Sequence, residues 1–105
     1  MNGMNMTKLV TMPFDAAKYM TEPEDVIDFL NDAFESGHAG YIAKVLGIVA
    51  RSEGMSKIAA RTGVNRQALY TTLSEQGNPT LETLLKVLSA LRIKLKCEAD
   101  MAEAA

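Results

Sequence analysis

The segment SKIAARTGVNRQALYTTL, residues 56–73, most constrains what this chain can fold into. It contains two short helical patterns on either side of Gly63, the first over residues 57–62 and the second over residues 66–73. Glycine adopts a positive φ without the steric cost that a Cβ brings. Ala59, four residues earlier, leaves room for a second helix to cross closely. The segment therefore predicts a helix-turn-helix motif.

The inner side of this motif is apolar. We expect Ile58, Val64 and Leu69 to point inward and to fix the angle at which the two helices cross. Ser56 and Asn65 precede the two helices, and Ser and Asn side chains commonly accept a hydrogen bond from the first N–H groups of a helix. The sequence therefore predicts that Ser56 caps the first helix and that Asn65 caps the second.

The outer side of the motif is polar, and the segment carries three basic residues but no acidic one. Arg and Gln side chains match the hydrogen-bonding edges of bases, and Tyr and Thr hydroxyls commonly reach phosphates. Recognition helices read bases with their N-terminal residues. The candidate DNA-contacting residues of the second helix are Asn65, Arg66, Gln67, Tyr70 and Thr71. A solvated helical hairpin, whose basic residues only maintain solubility, is the alternative interpretation.

The formal net charge of −2 does not by itself indicate a nucleic-acid-binding protein, but charge is segregated along the chain. Residues 1–40 hold seven acidic residues and two lysines, whereas residues 41–74 hold five basic residues and one acidic residue. Net charge governs solubility and general attraction, yet a local basic surface can still face phosphates. The composition is therefore compatible with DNA binding by the middle of the chain.

Three further helical patterns surround the motif, so the sequence predicts an all-α fold of five helices. The first pattern ends at Gly37 and the second at Gly54, since glycine is the usual residue at a helix C-terminus. Gly47 lies inside the second helix, where glycine lowers the stability of the helix by about 1 kcal/mol relative to alanine. We therefore expect another part of the chain to approach the helix closely at Gly47.

The third pattern follows Thr80, which we expect to cap it. Its apolar residues recur at helical spacing and predict one buried face: Leu81, Leu84, Leu85, Leu88 and Leu91. We expect Leu84 and Leu88 in particular to be buried beneath the helix-turn-helix motif.

The segment RIKLKC, residues 92–97, alternates apolar and basic residues. A period of two is the signature of a β-strand with one apolar face, here Ile93, Leu95 and Cys97. A single strand leaves its backbone N–H and C=O groups without partners, and no other convincing strand occurs in the sequence. We therefore expect the same strand of a second copy to pair with it and to form a homodimer.

Length and composition limit the remaining possibilities. A chain of 105 residues is expected to form one domain, which we place at residues 13–96, between a flexible leader (1–12) and an acidic tail (98–105). A single cysteine, Cys97, allows no internal disulfide. The lack of a signal peptide or long apolar run predicts a cytoplasmic protein. No arrangement of His, Cys or paired carboxylates suits catalysis, so we expect neither an enzyme nor a cofactor or metal site.

The sequence MSKIAARTGVNRQALYTTLSEQGNPTLETLLKVLSALRIKL resembles the phage-repressor/Cro-type (XRE) helix-turn-helix superfamily, and specifically its HigA-like addiction-module antidote branch. The resemblance covers residues 13–96, and its most specific parts are GMSKIAARTGV, ALYTTLS and GNPTLETLLKVLSAL. It implies a compact, five-helix, lambda-repressor-like DNA-binding domain. Typical members often have a phosphate-contacting glutamine near the start of the first motif helix. Ser56 and Lys57 occupy that region here, and we expect them to substitute for it.

The resemblance implies an antitoxin of a type II toxin–antitoxin module. Such a protein neutralises a small RelE/HigB-like toxin and represses its own operon by binding double-stranded operator DNA. Two alternatives stay open: a stand-alone repressor without a toxin partner, and an interaction protein whose motif no longer contacts DNA. The acidic segment at residues 15–35 either complements a basic toxin surface or is a solvated helix face.

Overall fold

The computed structural model describes residues 22–101, which form five α-helices and no β-strand. The helices are α1 (Pro23–Ser36), α2 (Ala39–Glu53), α3 (Met55–Thr62), α4 (Arg66–Thr72) and α5 (Leu81–Ala90). The prediction of an all-α chain with five helices is confirmed for this part of the chain. The predicted leader, residues 1–12, lies outside the described residues, as does the end of the predicted tail, residues 102–105.

The predicted helix ends are confirmed at three positions. Gly37 and Gly54 are the C-cap residues of α1 and α2, and their N–H groups donate to carbonyl groups of the preceding turn. Thr80 caps α5, because its hydroxyl oxygen accepts a hydrogen bond from the N–H of Thr83 at 3.1 Å. Local sequence signals therefore determine where these helices begin and end.

One hydrophobic core joins the five helices. Its buried side chains are Leu30, Ala33, Val45, Leu46, Val49, Ala50, Met55, Ile58, Leu69, Leu73, Val87, Leu88 and Ala90. The central helix is α2, which packs against α1, α3 and α4, whereas α5 packs mainly against α3.

The close approach expected at Gly47 is confirmed. A Cβ at Gly47 would overlap the backbone carbonyl oxygen of Leu73, the residue that follows α4. A second glycine on the same helix, Gly40, meets the same stretch of chain: a Cβ there would lie 2.7 Å from the carbonyl oxygen of Glu75. Two glycines therefore let α2 lie directly against the backbone where the chain leaves α4.

The predicted buried face of α5 is wrong in part. Leu88 is buried and Leu84 is partly buried, but the side chains of Leu81 and Leu85 are 67% and 50% exposed. Val87, which the leucine pattern did not include, is fully buried instead. Since α5 packs mainly against one helix, α3, only a narrow strip of its surface is covered. The five-leucine stripe is wider than that strip.

After α5 the chain turns sharply at Arg92, whose φ is 62°. The N–H of Arg92 donates to the carbonyl of Ser89 and the N–H of Ile93 donates to the carbonyl of Leu88, both at 2.9 Å. This pair of hydrogen bonds is the Schellman pattern, in which glycine usually occupies the left-handed position. The turn directs the following residues back along α1.

The strand predicted over residues 92–97 is not present among the described residues. Residues 94–98 make no backbone hydrogen bond to any other described residue. Ile93 is partly buried against the core, whereas Leu95 and Cys97 are exposed. A strand requires a neighbouring strand to satisfy its N–H and C=O groups, and the described part of one chain provides no such neighbour.

Replacing Gly47 with alanine tests the close approach of α2. Where nothing adjoins a helical glycine, Gly→Ala adds about 1 kcal/mol of stability. Here the new Cβ would press on a backbone carbonyl, so we expect a loss of about 1–3 kcal/mol, measured by denaturant unfolding. Lys44→Ala, at an exposed position of the same helix, is the control and should change stability by less than about 0.5 kcal/mol. Stabilisation by Gly47→Ala would contradict the contact.

Truncation of two leucines on α5 tests the orientation of this helix. Leu88 is buried, so Leu88→Ala should cost about 2–5 kcal/mol in the free energy of unfolding. Leu85 is half-exposed, so Leu85→Ala should cost less than about 1 kcal/mol. Equal shifts of the denaturant midpoint for the two variants would show that α5 is rotated differently about its axis.

Candidate nucleic-acid interface

The turn between α3 and α4 has the geometry that the sequence predicted. Gly63 ends α3 with a φ of 75°, in the left-handed region, and its N–H donates to the carbonyl of Ala59 at 2.9 Å. The hydroxyl of Thr62 donates to the carbonyl of Ile58 at 2.8 Å and accepts from the N–H of Val64 at 3.1 Å. These hydrogen bonds hold the turn in one conformation.

The orientation of α4 is determined by its cap and its buried side. The side-chain oxygen of Asn65 accepts a hydrogen bond from the N–H of Ala68 at 3.1 Å, so the predicted cap is confirmed. Ile58 and Leu69 are fully buried and Val64 packs partly against the core, which confirms their inward orientation. The remaining surface of α4 faces solvent.

Four candidate DNA-contacting residues are brought together on the outer surface of α4: Arg66, Gln67, Tyr70 and Thr71, all exposed. The guanidinium of Arg66 lies 5.7 Å from the ring centroid of Tyr70, a cation–π distance. The Thr71 hydroxyl donates to the carbonyl of Gln67 at 3.2 Å. The cation–π contact holds the Arg66 side chain over the ring. The Gln67 side-chain amide makes no hydrogen bond to any described residue.

The start of α3 differs from the prediction. The helix begins at Met55, directly after Gly54, so Ser56 lies in its first turn and does not cap it. The Met55 side chain is 4% exposed, and its burial accounts for the earlier start. The Ser56 side chain is exposed at the N-terminal end of α3. A phosphate contact by Ser56 stays a prediction.

Lys57 is exposed and lies near an acidic residue. Its Nζ is 3.7 Å from Oε2 of Glu53, with the two side chains 54% and 43% exposed. Exposed ion pairs of this kind contribute at most about 1 kcal/mol, so the pair does not prevent Lys57 from reaching a phosphate. The sequence pattern did not single out Glu53 as a neighbour of this residue.

Arg61, the third basic residue of the segment, has a structural role. Its Nη1 donates to the backbone carbonyl of Ala90 at 2.8 Å and lies 3.8 Å from Oε2 of Glu53. It therefore joins α3 to the C-terminal end of α5, where unpaired carbonyl groups favour a cation. The contact spans 29 residues of sequence, and no local signal indicates it.

Other kinds of site are not supported by the described residues. Between residues 22 and 101, no group of three or more His, Cys, Asp or Glu side chains could hold a metal ion. No helix in this range has the length and hydropathy required to cross a membrane. The predicted dimerisation residues Ile93, Leu95 and Cys97 lie outside α3 and α4, in the segment that runs beside α1.

Comparisons with known proteins concern most of the chain. Residues 10–99 match the model of a family described as "Probable addiction module antidote protein". An uncharacterized protein of Haemophilus influenzae is 36% identical over 85 residues, which cover 81% of this chain and 88% of that relative. No solved structure matches the chain.

Proposed function

Because the chain belongs to the family of probable addiction module antidote proteins, we propose that it is a DNA-binding antitoxin that also represses its own operon. An antidote implies a toxin partner of some kind. From the resemblance of its motif, we propose that this toxin is RelE/HigB-like and that the domain is lambda-repressor-like. On this reading the protein acts by binding and has no catalytic role.

One observation carries the proposal of DNA binding: α4 presents Arg66 and Gln67 on its exposed first turn. The helix is held in place by the Asn65 cap and by the buried Leu69 side chain. An α-helix fits the major groove, where Arg recognises guanine and Gln recognises adenine through paired hydrogen bonds. We assign base contacts to Arg66 and Gln67, with Asn65 at the entrance to the groove.

The other candidate residues surround this pair. Ser56 and Lys57 lie at the first turn of α3, and Tyr70 and Thr71 lie further along α4. Hydroxyl and ammonium groups commonly bind phosphate oxygens and orient the protein on the duplex without reading sequence. We assign phosphate contacts to these four residues.

The stand-alone repressor is the competing function, because it would use the same surface of α4. The family match favours an antitoxin. Co-expression with the reading frame adjacent in the same operon distinguishes the two: an antitoxin restores growth that this neighbour inhibits, whereas a stand-alone repressor does not.

We propose that the segment 93–97 pairs antiparallel with its equivalent in a second copy. From residue 94 onward its backbone makes no hydrogen bond to described residues, and Leu95 is 47% exposed, so both features favour addition of a strand. Ile93, Leu95 and Cys97 would lie at the interface. A two-fold axis would then present two copies of α4 to half-sites about one helical turn apart.

Substitutions on α4 test DNA reading. Arg66→Ala or Gln67→Ala should remove about 1–3 kcal/mol of discrimination between the operon's own upstream DNA and unrelated DNA. Lys57→Ala should weaken the binding of both DNAs equally, since phosphates carry no sequence information. Lys44→Ala, an exposed cation on α2, is the charge-matched control. Titrations at one salt concentration that show unchanged discrimination by both α4 variants would refute this docking.

Leu95→Pro tests the dimer. Proline removes a backbone donor and fixes φ, so a strand ladder should break at this position. We expect a folded helical monomer whose affinity for the upstream DNA falls far more than its helix content, measured by light scattering and DNA titration. Leu95→Val keeps the backbone donor and should dimerise. The proposal fails if the parent is monomeric at tens of micromolar or if Leu95→Pro dimerises normally.

A further inference from the structure

The aromatic ring of Tyr70 is the group that orders the Arg66 side chain. The guanidinium lies over this ring, 5.7 Å from its centroid. Between residues 22 and 101, no carboxylate or carbonyl group pairs with Arg66. The other basic residues of the motif differ, because Lys57 and Arg61 lie 3.7 and 3.8 Å from Oε2 of Glu53. Arg66 is therefore free of acidic neighbours and held by an uncharged ring.

The spacing of the two residues explains the contact. Side chains four residues apart lie on the same face of a helix, and each one leans towards the N-terminal end. The ring of Tyr70 therefore leans over the turn that carries Arg66. The face of an aromatic ring attracts a cation, which at an exposed position corresponds to about two- to fivefold in an equilibrium constant.

The fold does not require this ring. Tyr70 is 39% exposed, and it belongs neither to the hydrophobic core nor to the residues packed against it. The core contact of α4 is made by Leu69, which is fully buried. A change at Tyr70 therefore acts on the outer surface of α4 and leaves the packing of the helix in place.

The second base-reading candidate is not held in the same way. Thr71 lies four residues after Gln67, but its hydroxyl donates to the Gln67 backbone carbonyl, at 3.2 Å. The side-chain amide of Gln67 makes no hydrogen bond to a described residue. The outer surface of α4 thus orders one of its two base-reading side chains and leaves the other free to rotate.

Ordering Arg66 in advance favours its contact with a base. Immobilising one flexible side chain on binding lowers affinity about two- to tenfold, and prior ordering removes part of that cost. The five N–H donors of a guanidinium lie at its edge, and the ring takes none of them as a hydrogen-bond acceptor would. The paired hydrogen bonds to guanine remain available. Non-specific DNA does not use this conformation, so the gain falls on discrimination between sequences.

We infer that Tyr70 is a positioning residue, whose ring orders Arg66 for guanine and so sets how strongly that base is preferred. The inference rests on the proposed DNA-binding function and adds to it the residue that controls specificity at one base pair. The ring acts through Arg66, whereas the Tyr70 hydroxyl is the group assigned to a phosphate. One side chain thus has two separable roles.

Two substitutions separate these roles. Tyr70→Phe removes the hydroxyl and keeps the ring, whereas Tyr70→Leu removes both. Tyr41→Leu is the matched control, because Tyr41 is also 39% exposed but lies on α2. The probes are duplexes of the operon's upstream DNA, each with one base pair replaced, titrated against full-length chains at one salt concentration. Arg66→Ala and Gln67→Ala identify the base pair that each side chain reads, as the one whose replacement no longer changes affinity.

At the base pair read by Arg66, which we expect to be G·C, Tyr70→Leu should discriminate about two- to tenfold less than Tyr70→Phe. At the base pair read by Gln67, both variants should discriminate as the parent does. In the Arg66→Ala background the two variants should agree at every base pair, because the ring acts through the missing side chain. Tyr41→Leu should bind every duplex with the parent's affinity.

Four results would overturn the inference. Equal discrimination by Tyr70→Leu and Tyr70→Phe refutes the positioning role alone. An equal loss at the base pair read by Gln67 shows that the ring supports all of α4. If the parent discriminates but Arg66→Ala changes no base preference, Arg66 reads no base and has none to be positioned for. If the parent binds upstream and unrelated DNA equally, the proposed DNA reading fails and the inference fails with it.

Discussion

The contact between Gly47 and the backbone of Leu73 determines where the exposed helix of the motif lies. No side chain separates α2 from the chain leaving α4, and Gly40 repeats the arrangement beside Glu75. Backbone atoms cannot change rotamer to absorb a shift, so this contact permits little adjustment. The central helix therefore fixes where the end of α4 lies, while the Asn65 cap and the buried Leu69 side chain fix its orientation.

This dependence follows from the shortness of the motif helices. Helices of seven and eight residues, as α4 and α3 are, do not form stably alone in water. α4 buries only Leu69 completely, which leaves its remaining faces polar and accessible. Such an exposed surface buries little apolar area, so the free energy that orders α4 must come from elsewhere. Here it comes from the Asn65 cap, the Gly63 turn and packing against α2 and α3.

Sequence reasoning succeeded where the physical signal was local. Glycines marked helix ends, and Gly47 inside a helix indicated a close backbone contact. It failed where the answer depended on a distant partner. The leucine stripe could not show that α3 covers only one strip of α5, which leaves Leu85 exposed. In the candidate nucleic-acid interface, the sequence predicted the exposed face of α4 but not the hydrogen bond from Arg61 to Ala90. The period-two pattern over residues 92–97 describes a tendency to form a strand, which the described part of one chain does not satisfy.

The packing order of the helices also constrains how two partners would influence each other. α1 packs against α2, and α2 meets the end of α4 through its glycines. Under the proposed function, a partner that displaced α2 on binding would therefore move α4 with it, and the affinity for DNA would change. Thermodynamic linkage requires DNA to change the affinity for that partner by the same factor. A partner that bound α1 without moving α2 would leave DNA affinity unchanged. Under the proposed function, the stiffness of the contact at Gly47 thus decides whether toxin neutralisation and operon repression are coupled or independent.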